Sequence, residues 1–397
     1  MRVLYVWDGE YPWDVRTEKV CLALAEHGHS VVITARNDRG RPRREERPEG
    51  VIERLPRFRF FGGSLLSFPA FCNPVWLRHL ARLGAAQRPD VVMVRDLPLA
   101  PTALWSARGR PVILDMAENY PAMIADIWSD GRAGRLDLIV RNPWVVAAVE
   151  RYTLPRLTHV LTVVEESKER LRAMGMPAER ISVVSNTPRL NRITGLARRL
   201  PGEPLRIVYL GLMENHRGVG DVLRAAQILR DRGVSCGWDL IGDGRDYARF
   251  RARAGELGLG PPEVVFHGRL PHEEALGILG RAHVGVVPHH ATESWNTTIP
   301  NKLFDYMAAG LAVVTSTAAP ALRIVSETRA GVSFRSGSAA DLAEKVGQLL
   351  EISTWDQYRR NGQDAIRRRY NWERDSRILL DVVDRIGERG VNKAGDA

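Results

Sequence analysis

The sequence contains little cysteine and no long apolar run, and each absence excludes a class of protein. Its three cysteines, Cys21, Cys72 and Cys236, lie far apart without a Cys-x-x-Cys pair, which argues against a disulfide framework or a structural zinc cluster. No window has the apolar length of a membrane-spanning helix, and the apolar start of the chain ends at Asp8, so we expect neither a span nor a leader peptide. We therefore expect a cytoplasmic protein, with peripheral attachment at the inner face of the membrane as an alternative.

The length and composition of the chain are typical of a globular protein with two domains. The chain has 397 residues, of which 44% are hydrophobic and 26% charged, and this length exceeds one ordinary core. The net charge is +10, and residues 1–200 hold 31 Lys and Arg against 22 Asp and Glu. This excess predicts a polyanionic or membrane-surface partner for the first half. No helix-turn-helix, zinc-finger or RNP-type signature accompanies the charge, so we do not expect nucleic acid as a partner.

Both halves of the chain begin with a strand, a loop, a helix and a second strand. Residues 2–7 and 205–210 are short apolar runs, and each is followed by an amphipathic segment and another apolar run. This pattern predicts an α/β protein of two Rossmann-like domains that face each other across a cleft. The predicted organisation is an N-terminal domain (1–190), a linker (191–204), a C-terminal domain (205–375), and a final helix and tail that cross back to the first domain (376–397).

Aromatic residues and arginines alternate in residues 54–83 of the first half. Arg59, Phe60 and Phe61 belong to this stretch, which continues at helical spacing towards Leu83. Such a segment can place apolar side chains at a lipid boundary while its arginines contact phosphates. The alternative is a loop and a helix that fold onto the domain's own core.

Glycines and charged residues recur at the ends of the predicted strands of the second half. They lie in residues 209–218, 240–244, 265–268 and 300–310. In this order and spacing, these segments resemble the donor-binding half of retaining GT-B-fold glycosyltransferases of the large bacterial family 4 type, which includes surface polysaccharide and lipid sugar transferases. The resemblance is fainter over residues 1–190, where acceptor specificity diverges.

The resemblance implies a set of donor-binding residues. Glycines permit close approach of the backbone to a ligand, and helix starts near Gly218 and Asn301 direct amide groups at anions. Arg217 and Lys302 would bind the donor diphosphate, and Asp305 would accept hydrogen bonds from a ribose. For Arg217 the alternative is a surface arginine, and for Asp305 a carboxylate that serves its own helix dipole. The donor-binding residues are Gly211, Arg217, Gly218, Gly242, Gly244, Gly268, Pro300, Asn301, Lys302 and Asp305.

Residues 114–121 of the first half are similar to a segment that lies beside the reacting centre in this family. The implied catalytic residues are Asp115 and Glu118, together with Arg217 and Lys302 on the donor. Glu118 would orient the acceptor as a base, or else cap the following helix. The loop before the first helix lies where such enzymes hold donor phosphate or acceptor, and its candidate residues are Trp13, Asp14 and Arg16. The sequence departs from the family pattern at three positions, namely Ala117, Leu212 and Thr297.

The resemblance implies a retaining glycosyltransferase with a nucleotide-diphosphate donor, UDP-sugar being favoured over GDP-sugar. The acceptor would be a saccharide or a polyprenyl- or other lipid-linked molecule in cell-envelope glycan biosynthesis. The nucleotide sugar would be a co-substrate, and no cofactor or metal is expected, since His283, His289 and His290 match no zinc spacing. Two alternatives are a nucleotide-sugar 2-epimerase of the same architecture and a non-catalytic partner subunit.

Overall fold

The computed structural model describes residues 1–57, 71–129, 142–193, 199–200 and 202–395. The backbone divides into two units. Unit 1 comprises Met1–Asn186 with Asp375–Ala397, and unit 2 comprises Thr187–Arg374. Residues 194–198 and 201 of the predicted linker lie outside the described residues, as do residues 58–70 of the aromatic–arginine stretch, which include Arg59, Phe60 and Phe61.

The sheet of unit 1 has the strand order β3-β4-β2-β1-β5-β6-β7-β8. Its strands are β1 (Arg2–Glu10), β2 (Ser30–Arg36), β3 (Arg44–Arg47), β4 (Gly50–Arg54), β5 (Val91–Arg95), β6 (Val112–Met116), β7 (His159–Thr162) and β8 (Ile181–Val183). All neighbours are parallel except β3 and β4. Both faces of β1 are buried, since Leu4 and Tyr5 are at most 2% exposed. Burial on both faces explains why the central strands are continuous apolar runs.

The helices of unit 1 begin and end at residues that the sequence marks. The first six are α1 (Val15–Glu26), α2 (Pro74–Gln87), α3 (Ala100–Ala107), α4 (Tyr120–Ser129), α5 (Pro143–Thr153) and α6 (Glu165–Ala173). The Asp14 carboxylate caps α1 by accepting from the Thr17 amide at 2.7 Å, and the left-handed Gly28 follows the last turn. In α2, Trp76, Leu80 and Leu83 are buried in the core of unit 1, as the alternative for this segment predicts.

The sheet of unit 2 is entirely parallel and has the strand order β11-β10-β9-β12-β13-β14. Its strands are β9 (Leu205–Leu210), β10 (Cys236–Ile241), β11 (Val264–Gly268), β12 (Val284–Val287), β13 (Ala312–Ser316) and β14 (Gly331–Phe334). The strand order reverses between β9 and β12. In doubly wound sheets, ligands bind beside the carboxyl ends of the strands at such a reversal.

The helices of unit 2 follow its strands in alternation, which confirms the predicted α/β class with Rossmann-like domains. They are α7 (Val219–Asp231), α8 (Tyr247–Glu256), α9 (His272–Leu279), α10 (Lys302–Ala308), α11 (Ala319–Thr328), α12 (Ala339–Gln348) and α13 (Ile352–Arg368). The last helix, α14 (Trp372–Gly395), runs from unit 2 into the chain segment that belongs to unit 1. Within the described parts of the chain, none of the helices is both long and apolar enough to cross a bilayer.

Candidate functional site

The two loops at the strand reversal of unit 2 are in direct contact. Gly218 has a φ of +72° and precedes α7, and a Cβ at this position would lie 1.9 Å from the carbonyl oxygen of Pro288, which follows β12. Only glycine combines this left-handed backbone with so close an approach. Gly218 therefore holds the start of α7 against the carboxyl end of β12.

Lys302, the first residue of α10, directs its ammonium group towards the end of β9. The residue is 6% exposed, and its Nζ lies 3.9 Å from the centre of the Tyr209 ring and directly beside Gly211, where a Cβ would be 2.9 Å away. Among the described residues Nζ has no hydrogen-bond partner. Burial, with the nearby Arg217, holds the pKa of Lys302 well below its usual range.

His289 is a second buried base at the same place, and the sequence analysis did not assign it to the donor site. It is 1% exposed, and neither ring nitrogen has a hydrogen-bond partner in the described parts of the chain. Its ring packs edge-on against Trp295 at 4.2 Å. Burial, together with Lys302 and Arg217, lowers the pKa of His289 well below its usual range, so the imidazole is neutral. The sequence feature that could have identified His289 as a site residue is its position two residues after a buried strand.

Arg217 completes this group, which we call the basic cluster (Arg217, His289 and Lys302). Its guanidinium lies 5.3 Å from the centre of the Trp295 ring, and its Nε is 3.5 Å from a Glu214 oxygen. The side chain is 21% exposed, so Arg217 lies at the edge of the cluster, whereas the other two members are buried. The cluster concentrates positive charge and unused hydrogen-bonding capacity at the strand reversal, an arrangement suited to an anion.

Three of the predicted glycines lie at the ends of neighbouring strands. The Gly211 amide donates to the Ile241 carbonyl at 2.9 Å, and the Gly242 amide donates to the Gly268 carbonyl at 2.8 Å. A Cβ at Gly242 would lie 2.0 Å from the Gly211 carbonyl oxygen. The structure thus brings the ends of β9, β10 and β11 together.

The remaining predicted donor residues lie on the loop after β10 and at the start of α10. Gly244 lies in the loop after β10, where a Cβ would be 2.6 Å from the Met213 carbonyl oxygen. Pro300 and Asn301 precede α10 as predicted, and Asp305 is a half-buried acid in its first turn. Ligand contact by these residues stays a prediction.

In unit 1, Asp115 and Arg16 form a buried ion pair at the end of β6. The Arg16 Nε and Nη2 atoms donate to one Asp115 oxygen at 2.8 and 2.5 Å, while the Tyr5 hydroxyl donates to the other at 2.7 Å. Arg16 also donates to the Val184 carbonyl at 3.0 Å. Burial raises the pKa of Asp115, but Arg16, Arg95 and Tyr5 outweigh burial and lower it below its usual value. These contacts favour a positioning role for both residues.

Asp96, which the sequence analysis missed, holds the backbone of the segment that contains Glu118. The residue is buried with a φ of +60°, and its Oδ1 accepts from the Ala117 amide at 2.8 Å and the Glu118 amide at 3.3 Å. Burial raises the pKa of Asp96. Glu118 itself is half-buried and follows β6, and Asp96 follows the neighbouring strand β5. Asp96 could have been identified as a candidate from the sequence, because it is a charged residue directly after an apolar strand.

The loop before α1 carries the remaining predicted residues. Asp14 forms an ion pair with Arg95, in which the Asp14 Oδ1 lies 2.9 Å from the Arg95 Nη1, in addition to capping α1. Trp13 is 67% exposed, and the Arg47 guanidinium lies 5.0 Å from the centre of its ring. Trp13 is therefore available to contact a ligand, whereas Asp14 is held by its own unit.

A groove of about 550 Å³ in unit 2 contains none of the predicted donor residues. Asp239 at its base accepts from Arg206 at 2.6 Å and contacts the His267 Nε2 at 2.8 Å. Arg206 and His267 both pair with Asp239, and the groove lacks the buried unpaired groups that the basic cluster contains among the described residues.

Two family models match this chain. Residues 14–187 match the model of a glycosyl transferase 4-like domain, and residues 204–352 match glycosyl transferases group 1. Over 405 aligned residues the chain is 26% identical to a glycogen synthase of Mycobacterium tuberculosis, covering 94% of this chain and 92% of that protein. It is 28% identical over 185 residues to the amylovoran biosynthesis glycosyltransferase AmsK of Erwinia amylovora, covering 46% and 45%.

Two solved structures share the fold over nearly their whole length. Sucrose-phosphate synthase from Thermosynechococcus elongatus superposes with a TM-score of 0.76 at 16% identity, covering 97% of this chain and 98% of that chain. Anabaena Alr3699/HepE in complex with UDP superposes with a TM-score of 0.68 at 13% identity, covering 97% and 100%.

Proposed function

Because the chain belongs to the GT-B-fold glycosyltransferases of the family 4 type, we propose that it transfers a sugar from a nucleoside diphosphate donor with retention of anomeric configuration. Unit 2 binds the donor and unit 1 selects the acceptor. The acceptor is a saccharide or a lipid-linked molecule, and the reaction belongs to glycan biosynthesis. The names of AmsK and of the glycogen synthase support this kind of product.

The observation that carries the proposal is the basic cluster at the strand reversal of unit 2. A buried ammonium group without a hydrogen-bond partner costs stability, and so does a buried imidazole whose nitrogens are both unpaired. A diphosphate bound beside Lys302 and His289 would supply the missing acceptors. Arg217 at the exposed edge would add a permanent charge to the same anion.

The cluster would act on the leaving group. As the glycosidic bond to the diphosphate breaks, negative charge grows on the departing phosphate oxygen. Cations already in place near that oxygen stabilise the transition state more than the ground state, which raises the rate and not only the affinity. Neutralisation would come from side chains of this chain, so the proposal includes neither a cofactor nor a catalytic metal.

The proton of the acceptor would pass to the leaving phosphate as the acceptor attacks from the same face. A strong protein base is then unnecessary, which is compatible with Ala117 at the position where related sequences often have histidine. The ion pair of Arg16 and Asp115 would keep the end of β6 in place, and Glu118, on the segment held by Asp96, would orient the acceptor hydroxyl.

UDP-sugar is the donor that we favour. Support comes from Anabaena Alr3699/HepE, which shares the fold and was solved with UDP and with UDP-glucose. GDP-sugar is the alternative, and the chemistry of the basic cluster is the same for both diphosphates.

A donor screen followed by product analysis tests the proposal. UDP- and GDP-sugars are compared by thermal shift, and the best donor is incubated with saccharide and lipid-linked acceptors. NMR of the product is expected to show the anomeric configuration of the donor. An inverted linkage would refute retention, epimerised free donor would favour an epimerase, and neither transfer nor donor hydrolysis with any nucleotide sugar would favour a non-catalytic subunit.

A further inference from the structure

Two histidines at the end of α1 lie against an aspartate of the last helix, far along the chain. His27 is the residue after α1, and the left-handed Gly28 (φ +88°) separates it from His29, which precedes β2. The turn is held by backbone hydrogen bonds from His27 to Ala23 and from His29 to Leu24. The tight capping turn therefore directs both imidazoles towards Asp384 of α14.

The three side chains have the spacing of a metal site. The His27 Nε2 lies 3.1 Å from Asp384 Oδ2, and the His29 Nε2 lies 3.4 Å from Asp384 Oδ1. One ligand atom from each residue can be chosen so that all lie within 4.8 Å of one another. Around a tetrahedral zinc ion with bonds of about 2.0 Å, ligand atoms lie roughly 3.3 Å apart, so little movement is needed.

His29 supplies an independent indication of a missing partner. Its side chain is 6% exposed, and its Nε2 makes no hydrogen bond with the described residues even though it points at Asp384. The other ring nitrogen, Nδ1, lies 3.3 Å from the Met1 amino nitrogen. Metal binding through Nε2 places the ring proton on Nδ1, where the Met1 nitrogen can accept it only as an uncharged amine.

The position of Asp384 is fixed by the packing of its helix. Leu379, Val382 and Val383 on α14 are at most 1% exposed, so the helix cannot rotate without exposing them. His27 and Asp384 are 48% and 44% exposed, which leaves an entry path and room for a water as the fourth ligand. Two imidazoles, one carboxylate and an open position form a donor set that suits Zn²⁺ better than Mg²⁺.

We propose that His27, His29 and Asp384 bind one Zn²⁺ ion that fastens α14 to the end of α1. The ion would have a structural role within unit 1, apart from sugar transfer. It would connect residues that are more than three hundred positions apart, and its binding would stabilise the packed form of α14 by mass action.

The test is a calorimetric titration of Zn²⁺ into metal-free, tag-free full-length protein. One ion per chain is expected to bind, and a hundredfold excess over Kd is expected to raise the melting temperature of unit 1 by about 5 °C. His27→Gln and Asp384→Asn should each lower the affinity at least tenfold, since each removes one of three ligands. Co²⁺ in the wild type should give the absorption spectrum of a four-coordinate site, whether or not the variants fold.

The matched controls are Asp381→Asn, one turn earlier on α14, and His267→Gln, a histidine of unit 2 that pairs with Asp239. Both should bind Zn²⁺ as the wild type does, and Mg²⁺ should leave the melting temperature unchanged. The proposal is overturned if the wild type binds no stoichiometric Zn²⁺, if Mg²⁺ stabilises equally, or if the controls lose binding as fully as His27→Gln and Asp384→Asn do.

Discussion

At the scale of single residues, the two units differ in whether their buried polar and charged side chains are paired. In unit 1, Arg16 and Asp115 satisfy each other, with Tyr5 on the second oxygen. In unit 2, Lys302 and His289 are buried without hydrogen-bond partners among the described residues. Pairing offsets the desolvation cost of a buried charge, whereas an unpaired buried charge costs stability until a ligand of the opposite sign binds.

Replacing Lys302 should therefore stabilise the ligand-free protein. Lys302→Met keeps an unbranched chain beside Tyr209 and removes the buried charge. At pH 7 the variant should be more stable than the wild type, because a buried donor without a hydrogen-bond partner costs about 1–3 kcal/mol. Chemical denaturation without nucleotide measures this difference.

The stability advantage of Lys302→Met over the wild type should decrease as pH rises. The folded pKa of Lys302 lies below the ordinary value, so the unfolded chain binds the proton more readily and the wild type gains stability as pH rises. The advantage of the methionine variant should shrink from the folded pKa up to about pH 10.4. A variant that is less stable than the wild type at pH 7 would show that Lys302 is not an unpaired buried charge.

Replacing one partner of the ion pair in unit 1 should instead destabilise the protein. Asp115→Asn leaves the buried Arg16 without a counter-charge and should cost about 3–5 kcal/mol of unfolding free energy. Tyr5→Phe removes one hydrogen bond and should cost about 1 kcal/mol. Denaturant titration distinguishes the two variants, and equal costs would contradict the contacts described for Asp115.

At the scale of elements, the site depends on how two loops meet at the strand reversal. Gly218→Ala would force a Cβ against the Pro288 carbonyl in addition to the left-handed φ. We expect a loss of more than about 2 kcal/mol in stability, together with weaker UDP binding because Arg217 is the preceding residue. Gly233→Ala is the matched control, since Gly233 has a φ of +74° but no atom within 4 Å of the added Cβ. It should cost only about 1–2 kcal/mol and leave UDP binding unchanged.

Elements were predictable from the sequence where local signals define both ends. The apolar run 205–210 is the observed β9, and α1 lies between the capping residue Asp14 and the left-handed Gly28. Residues whose role depends on tertiary packing were not predictable in this way. The pairing of Arg16 with Asp115 joins positions 99 residues apart, and the burial of His289 arises from α10 and Trp295 packing around the end of β12.

At the scale of the whole molecule, the described residues form two hydrophobic cores, one in each unit. Calorimetry should therefore show two unfolding transitions instead of one. UDP at a hundredfold excess over Kd should raise only the transition of unit 2, by the equivalent of about 2.7 kcal/mol. A single transition, or a shift of the transition of unit 1 alone, would contradict the assignment of donor binding to unit 2.

The central claim is that Lys302 contacts the diphosphate of the donor. The most direct test compares the affinities of UDP and UMP for the wild type and for Lys302→Met by isothermal titration. A hydrogen bond to a charged group is worth about 1.5–3 kcal/mol, so the preference of the wild type for UDP over UMP should fall at least tenfold in the variant. If the variant keeps the full preference for UDP, the terminal phosphate does not contact Lys302 and the account of the basic cluster is wrong.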